Sequence, residues 1–470
     1  MTFAFAVSEK AFHLRQHDKE AVIARLKITT ANSETEGILY DALYDPDFCK
    51  GLLSAIERAR SFRNTSAELR AQPSKRFRAV RGEGGVMLEP SMIKRGPGYT
   101  FIAYGDRLVL KFFHRVAEGL SPDVEIGRFL SEKTHFAHAP VFAGHLELGK
   151  SGSEASTIGI LQGLVANEGN AWRYTLDRLG HYFEDILSHP LDAKEALLPE
   201  TSLIALTNHE VPPLAQDTIG AYLSSARLLG QRTGELHTAL ASEKQDPAFV
   251  PEPFTTAYRR SLYQRLRTLA DNAMDLLKQR LHSLPEAVRQ DAEKLLRLES
   301  RVFAILRRLL DHKIAATRIR CHGQYCLEKV LFTGKDFVIT DFAGQPSLSL
   351  SVRRQKRSTL RDIASMIRSF HRAAAEKLKD RAVRPEDAAL LKPWAKYWTL
   401  WVSVEFLNGL FETASQERFI PQSHDESQLL LDVFLLENLF DELNEALNHR
   451  PDWIHVPLAD IGEILRSYES

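Results

Sequence analysis

The feature that most constrains this chain is a single change of hydrophobic period followed by one interruption. Between about residues 86 and 165 apolar positions recur at the short spacing of strands: YTFIAYGD and RLVLKFF, joined at Gly105-Asp106, then VFAGHLEL and TIGILQGLV. Gly-Asp and Asp-Gly dipeptides between such runs mark tight hairpins. From Gly169 onward the spacing lengthens to three or four residues, as in amphipathic helices, over Ala171–Leu187, Asp217–Ala241, Thr255–His282, Pro285–His312, Arg361–Lys377, Asp387–Thr413 and Ser427–Leu447. One island breaks this run. Residues 318–346 carry two short strand-like segments, VLF and DFVIT, around Thr333-Gly334-Lys335. A β-rich lobe followed by a helical lobe that contains one hairpin is the order of a kinase-type fold, so the expected class is α+β and bilobal.

The first 85 residues differ in texture. They mix helix and turn patterns, with a helix expected from Asp47, and end in the basic polar stretch Gln72–Arg81. They read as a cap or linker (1–85) ahead of a β-rich lobe (86–168) and a mainly helical lobe (169–470). Within the β-rich lobe, Ser121 followed by Pro122 and acidic residues at 123 and 125 has the form of an N-cap, N1 and first turn of a helix.

Composition excludes several classes. Lys+Arg and Asp+Glu balance at 61 each, which gives no electrostatic reason to expect a nucleic acid or an anionic membrane as partner. No apolar run approaches the eighteen residues of a membrane span, and the N-terminus lacks the basic start of a signal peptide. The three cysteines, Cys49, Cys321 and Cys326, are too few and too unevenly placed for a disulfide framework, which suits a reducing cytoplasm. Cys321, His322 and Cys326 do not have the number or spacing of a zinc site.

Phosphoryl transfer needs a lysine on a strand of the β lobe, a helix carboxylate to hold it, a carboxylate for the metal and a base for the acceptor hydroxyl. Lys111 ends the strand RLVLK, and Glu125 lies in the helix that follows. Such a pair also occurs simply as a solvated charge and a helix-dipole partner. Asp341, directly after the apolar run VIT, stands where a metal-binding carboxylate is expected, and His322-Gly323 lies nineteen residues before it, where a catalytic loop would begin.

These segments resemble the maltokinases, including the kinase domain fused to trehalose synthase, whose loop reads HGDYHLGQ and whose metal segment reads DFEGEP. Here the text is His322-Gly323-Gln324-Tyr325-Cys326-Leu327-Glu328-Lys329 and Asp341-Phe342-Ala343-Gly344-Gln345-Pro346. Similar text runs through YGDRLVLKFF, SPDVEIGRFLSEKT, ILQGLVANEGNAWRYTLDRLG, RLLGQRTGELHTALAS and KRSTLRDIASMIRSFH, covering roughly residues 100–460. The resemblance implies a protein-kinase-like fold of the aminoglycoside phosphotransferase type. It also implies a link to trehalose, maltose 1-phosphate and α-glucan metabolism, with trehalose synthase or a maltokinase-type protein as partner and a homo-oligomer as an alternative.

The departures fall on charge. Gln324 stands where the family has its loop aspartate, and a carboxamide accepts no proton at neutral pH; loss of a positioned base alone removes about 10²–10⁴ in rate. Lys329 stands at the second metal position, a cation where a divalent ion needs a neutral or anionic ligand. Ala343 and Gln345 replace two acidic positions, leaving Asp341 as the single retained metal-ligand candidate, and an ion pair from Lys329 to Asp341 is the expected outcome. The glycine-bearing segment Lys94–Thr100 stands where relatives close over nucleotide phosphates, although such text is common in plain turns. The late helix keeps its leucines from Glu437 to Leu447 but lacks the family's lysine, tyrosines and glutamate, and Arg372 stands where the family has an aromatic.

Two readings follow. One is a pseudokinase kept for binding, regulation or scaffolding, with Lys111 and Glu125 as a nucleotide-phosphate pair, ATP as the one candidate cofactor and no confident place for Mg²⁺. The other is an enzyme that still phosphorylates maltose or another sugar with Asp341 as sole metal ligand. The basic run Arg353, Arg354, Lys356, Arg357, Arg361 reads as a solvated loop rather than a phosphate grip. Trp394, Trp398 and Trp401, at helical spacing, read as a core stripe.

Overall fold

Gly105 sits at φ 56° in the turn between strands Tyr99–Tyr104 and Leu108–Phe113, a backbone conformation that only glycine adopts at no steric cost. That hairpin is part of a seven-stranded antiparallel sheet in a computed structural model of the chain, which describes residues 2–468 apart from 31–32, 83–85, 97, 151–152, 190–193, 208, 312 and 381–382. The chain divides into two compact units, Met1–Ala166 with Ser347–Val352 and Asn167–Pro346 with Arg353–Ser470.

In the first unit the strand order is Ser61–Arg63, Ala67–Pro73, Phe142–Lys150, Ser156–Gly163, Leu108–Phe113, Tyr99–Tyr104 and Pro90–Arg95. The four strands read from period-two spacing are all present. The first two were not expected, because Gln72–Arg81 reads as polar linker: Ala67–Pro73 pairs along Phe142–Lys150 from Ala67↔Lys150 to Pro73↔Gly144. Its side chains are mostly half-buried, so the apolar alternation that announces a strand is weak there. Beneath the sheet lie Ile56, Leu52, Phe77, Ile102, Tyr104, Leu108, Leu110 and Leu146. Helix Pro46–Glu57 supplies part of that core, and its N-cap Asp45 accepts from the Asp47 amide at 3.0 Å. A separate three-stranded antiparallel sheet, ordered Phe3–Val7, Ser33–Asp41, Val22–Thr30, packs Ala6, Ile38 and Tyr40 against Ala11 and Leu14 of helix Ser8–His17. Helix Pro122–Lys133 starts as expected, with Ser121 Oγ accepting from the Asp123 amide.

The second unit is helical around one small hairpin, Val330–Phe332 paired with Phe337–Ile339, at the island the sequence marks. Two expected helices are each two. Asp217–Ala241 breaks at Gly220 (φ 60°) into Pro213–Ile219 and Ala221–Ala241. Pro285–His312 breaks at Leu298 into Glu286–Arg297 and Glu299–Asp311, and His312 itself lies outside the described residues. Periodicity cannot see these breaks because both halves bury the same kind of face. Trp394, Trp398 and Trp401 are buried in helix Pro385–Ala414, a core stripe as expected. The basic run is not a solvated loop: Lys356 is buried and donates to Glu252 (2.8 Å) and the Pro247 carbonyl (2.6 Å), and Arg361 pairs with Glu437. Among the described residues no helix is long and apolar enough to cross a membrane.

Helices Ala221–Ala241 and Pro385–Ala414 touch backbone to backbone. A Cβ on Gly230 would lie 1.9 Å from the Phe406 carbonyl oxygen, and one on Gly409 1.9 Å from that of Arg227. Backbone cannot yield as a side chain can, so Gly409→Ala should cost about 3 kcal/mol, the upper range for overpacking. Urea unfolding measures it, with Gly51→Ala as the steric control: that Cβ meets nothing within 4 Å, and at this exposed helix position alanine should stabilise by about 0.5–1 kcal/mol.

Candidate functional site

The loop His322–Lys329 is held from behind by helix Leu360–Leu378. Asp362, 2% exposed, accepts the amide of His322 at 2.8 Å with one carboxylate oxygen and that of Gly323 at 3.0 Å with the other. The imidazole of His237 reaches the same carboxylate at 3.3 Å. One turn pair further along, Ser369 Oγ accepts the Leu327 amide at 3.1 Å. Burial works to raise the Asp362 pKa, but the His237 bond, the two imidazoles' charge and the Gly323 amide outweigh it and hold the carboxyl below its ordinary value.

His322 is buried, and its ring bonds fix one neutral tautomer. Nε2 donates to the Thr340 carbonyl at 2.8 Å, while Nδ1 accepts the Gln324 amide at 3.3 Å. A proton on Nδ1 would turn that acceptor into a donor facing an N–H. Burial lowers the His322 pKa, and the opposing pull of Asp362 does not compensate. Tyr325, also buried, hydrogen-bonds Thr233 Oγ1 at 2.8 Å. Gly323 at φ 82° shapes the turn.

Asp341 follows the second strand of the hairpin with φ 68°, a left-handed conformation that is uncommon for any residue but glycine, asparagine or aspartate and costs about 1–3 kcal/mol. Its carboxylate is ion-paired with the ammonium of Lys329, both side chains about one-fifth exposed, so the pair read from sequence is present. The carbonyl of Ala343 accepts from Arg353 at 3.0 Å, and Gly344 (φ 70°) turns the chain beyond it. Gln324 and Gln345 are half-buried. Among the described residues no group of three or more His, Cys, Asp or Glu side chains is placed to hold a metal ion.

The other candidates belong to the first unit. Lys111 is 3% exposed and its ammonium lies 2.8 Å from Asp123, which is 1% exposed, and over the rings of Tyr99 and Phe113 at 5.3 and 5.2 Å. Asp123, not singled out from sequence, thus holds this lysine; Glu125 lies half-buried two residues on in the same turn. A signal existed. Asp123 shares the apolar face of Ile126, Gly127 and Leu130, where a carboxylate needs a buried partner. Asp362 is marked likewise, in line with the buried Met366 and Ser369. In the segment Lys94–Thr100, Pro97 lies outside the described residues; Lys94 and Arg95 close the edge strand Pro90–Arg95.

In the late helix His424–His449 two acidic side chains are held by arginines of other elements. Glu437 is buried and bonded by Arg361 at 3.0 Å and by Arg265, which hold it ionised far below the usual range against burial. Glu442 takes Arg368, whose guanidinium also reaches Asp460. Arg372 pairs with Glu328 at 3.4 Å and lies over the Trp172 ring.

No protein-family model matches the sequence. Among solved structures the chain is similar to a glucosamine kinase in one crystal form (18% identity, TM-score 0.61, covering 95% of this chain and 94% of that one). It is similar to a glucosamine kinase in complex with glucosamine, ADP and inorganic phosphate (17%, 0.61, 95% of each). A second crystal form gives 18% and 0.59 over 88% of this chain and 80% of the other. At this identity what is shared is the fold, a bilobal kinase-like one of the kind sugar kinases have.

Two outcomes follow. Asp362→Ala leaves two buried amides and His237 without their acceptor and should destabilise by about 3–5 kcal/mol in chemical unfolding. Because the folded pKa of His322 is depressed, the unfolded chain binds the extra proton first as pH falls; His322 therefore contributes stability that is present above about 6.5 and is lost as pH drops toward its folded value. His322→Asn should flatten the pH dependence of stability below 6.5.

Proposed function

We propose that this chain is a catalytically impaired, maltokinase-like pseudokinase that serves as a binding, regulatory or scaffold partner in trehalose, maltose 1-phosphate and α-glucan metabolism. The observation that carries the reading is the Lys329–Asp341 ion pair. In a phosphotransferase that carboxylate is needed for the divalent ion that neutralises the transferred phosphate. Here a fixed ammonium takes the carboxylate, and the neighbouring positions are Ala343 and Gln345, so the residues present do not suit a Mg²⁺ ion. Gln324, whose backbone amide is held by His322, can orient a hydroxyl but cannot accept its proton.

Other features support a protein kept for its shape. The loop backbone is anchored at His322, Gly323 and Leu327, and the late helix, where the maltokinase resemblance would place sugar contacts, carries buried ion pairs instead. Nucleotide binding enters the proposal through Lys111, which remains on its strand and is preorganised by Asp123, with Glu125 beside it; one similar glucosamine kinase is described with ADP. The partner the resemblance implies is trehalose synthase or an active maltokinase-type protein, with self-association as the alternative, in the reducing cytoplasm that three free cysteines suit.

The test is phosphoryl transfer from Mg²⁺-ATP to maltose, glucosamine and a panel of free sugars, with Asp341→Asn and Lys111→Met as controls. The expected result is no turnover above background from folded protein. Turnover that disappears in either control would establish an active sugar kinase and overturn the pseudokinase reading. Co-elution with purified trehalose synthase or maltokinase in size-exclusion chromatography is the second expected result.

A further inference from the structure

The three-stranded sheet of the first unit has two edges, and they are treated differently. The Val22–Thr30 edge carries Arg25, Lys27 and a shift of register between Val22 and Ala24. Charge and bulge are the devices by which an edge strand avoids joining another sheet. The Phe3–Val7 edge has neither: its sequence is FAFAV, its register is regular, and among the described residues Ser33–Asp41 is its one strand partner. Phe3, Phe5 and Val7 are 55%, 39% and 37% exposed, whereas Ala6 is buried under helix Ser8–His17.

This strand is complementary to itself. Laid antiparallel on a second copy about a two-fold axis through Phe5, it sets Phe3 opposite Val7, Phe5 opposite Phe5 and Ala4 opposite Ala6. Directly opposite residues share a face, so the aromatic and β-branched side chains of both copies line one side and the alanines the other. Helix Ser8–His17 packs over the alanine side, so the pairing brings two copies of that helix side by side. Its Phe12 is 62% exposed. Lys10, about 200° round the helix from Phe12, reaches Asp45 at 2.6 Å and lies over the Tyr40 ring, which leaves Phe12 on the flank away from them.

We propose that Phe3–Val7 is a dimerisation strand, to which a second copy of this chain adds antiparallel so that two three-stranded sheets become one of six. A strand of another protein would need no such symmetry; a second copy requires it, and FAFAV has it. Area sets the strength. A whole phenylalanine covers about 200 Å², so the exposed parts of Phe3, Phe5 and Phe12 with Val7 give roughly 350 Å² a copy, and with the backbones of both edges the pair buries about 1,000 Å². That is the lower bound for a specific interface, and it fits a reversible dimer with a dissociation constant on the order of 10 μM. The pairing involves the first unit alone and does not depend on whether the chain transfers phosphate.

Sedimentation velocity of the full chain over a range from about 1 to 200 μM tests it. The unchanged chain should pass from monomer to dimer. Phe3→Lys with Val7→Lys sets lysines opposite each other at both ends of the paired strand and should weaken the dimer at least tenfold. Phe3→Lys with Val7→Glu sets lysine opposite glutamate and should dimerise at least tenfold more tightly than the first variant. Both pairs of positions are exposed, so the melting temperature in dilute solution should not move, and it separates lost association from lost folding. A chain that stays monomeric across the range overturns the proposal. So does a dimer that the two lysines leave intact, which would lie on another surface. A folded lysine–glutamate variant no tighter than the lysine–lysine one overturns the two-fold register and with it the second copy as occupant.

Discussion

The carboxylate of Asp362 is the point on which the helical unit's loop depends. A buried carboxylate is tolerated only when its oxygens are satisfied, and Asp362 meets that condition by taking two consecutive backbone amides and an imidazole. Those bonds fix where His322 and Gly323 lie. With His322 placed, its ring can reach the Thr340 carbonyl, which ties the loop to the hairpin strand that delivers Asp341. The Thr340 amide in turn donates to the Lys329 carbonyl, so the two ends of the site are bonded through backbone, not only through the side chains of Lys329 and Asp341.

This arrangement makes the shape of the loop independent of the charges at 324, 329, 343 and 345. The bonds that set the loop's shape come from Asp362, Ser369, Thr340 and Thr233, none of which would meet a substrate atom by virtue of those bonds. Of the positions where the maltokinase resemblance would place chemistry, 324, 329 and 343 contribute backbone to that frame, and Lys329 adds its pair with Asp341. Replacing their side chains therefore costs the fold little. The left-handed Asp341 is the exception: its conformation carries a local cost whatever its partner, and the ion pair with Lys329 gives the carboxylate a permanent counter-charge in place of an exchangeable one.

Legibility in the sequence followed the same division. The strand hairpin at Gly105, the Ser121 cap, the hairpin around Gly334 and the Lys329–Asp341 pair all rest on local pattern or on two nearby segments, and each is in the structure. The strands at 61–73 were hidden because the side chains of the first are exposed and those of the second mostly half-buried, so no period distinguishes them from linker. The helix breaks at Gly220 and Leu298 were hidden because apolar spacing continues across them. The basic run misled for a different reason. Charge density on a segment reveals nothing of whether acidic partners wait 76 or 104 residues away, as Glu437 does for Arg361 and Glu252 for Lys356.

Those distant partners bear on the late helix, where the maltokinase resemblance would place sugar contacts. Had Glu437 and Glu442 been left solvated, the region would be an open surface free to take a sugar. Instead Arg265, Arg361 and Arg368 close on them, and Glu437 is buried and held ionised by two guanidiniums. Breaking such a pair to admit a ligand would leave a charge unpaired in a low-dielectric setting, a cost of about 3–5 kcal/mol before any contact with the ligand is made.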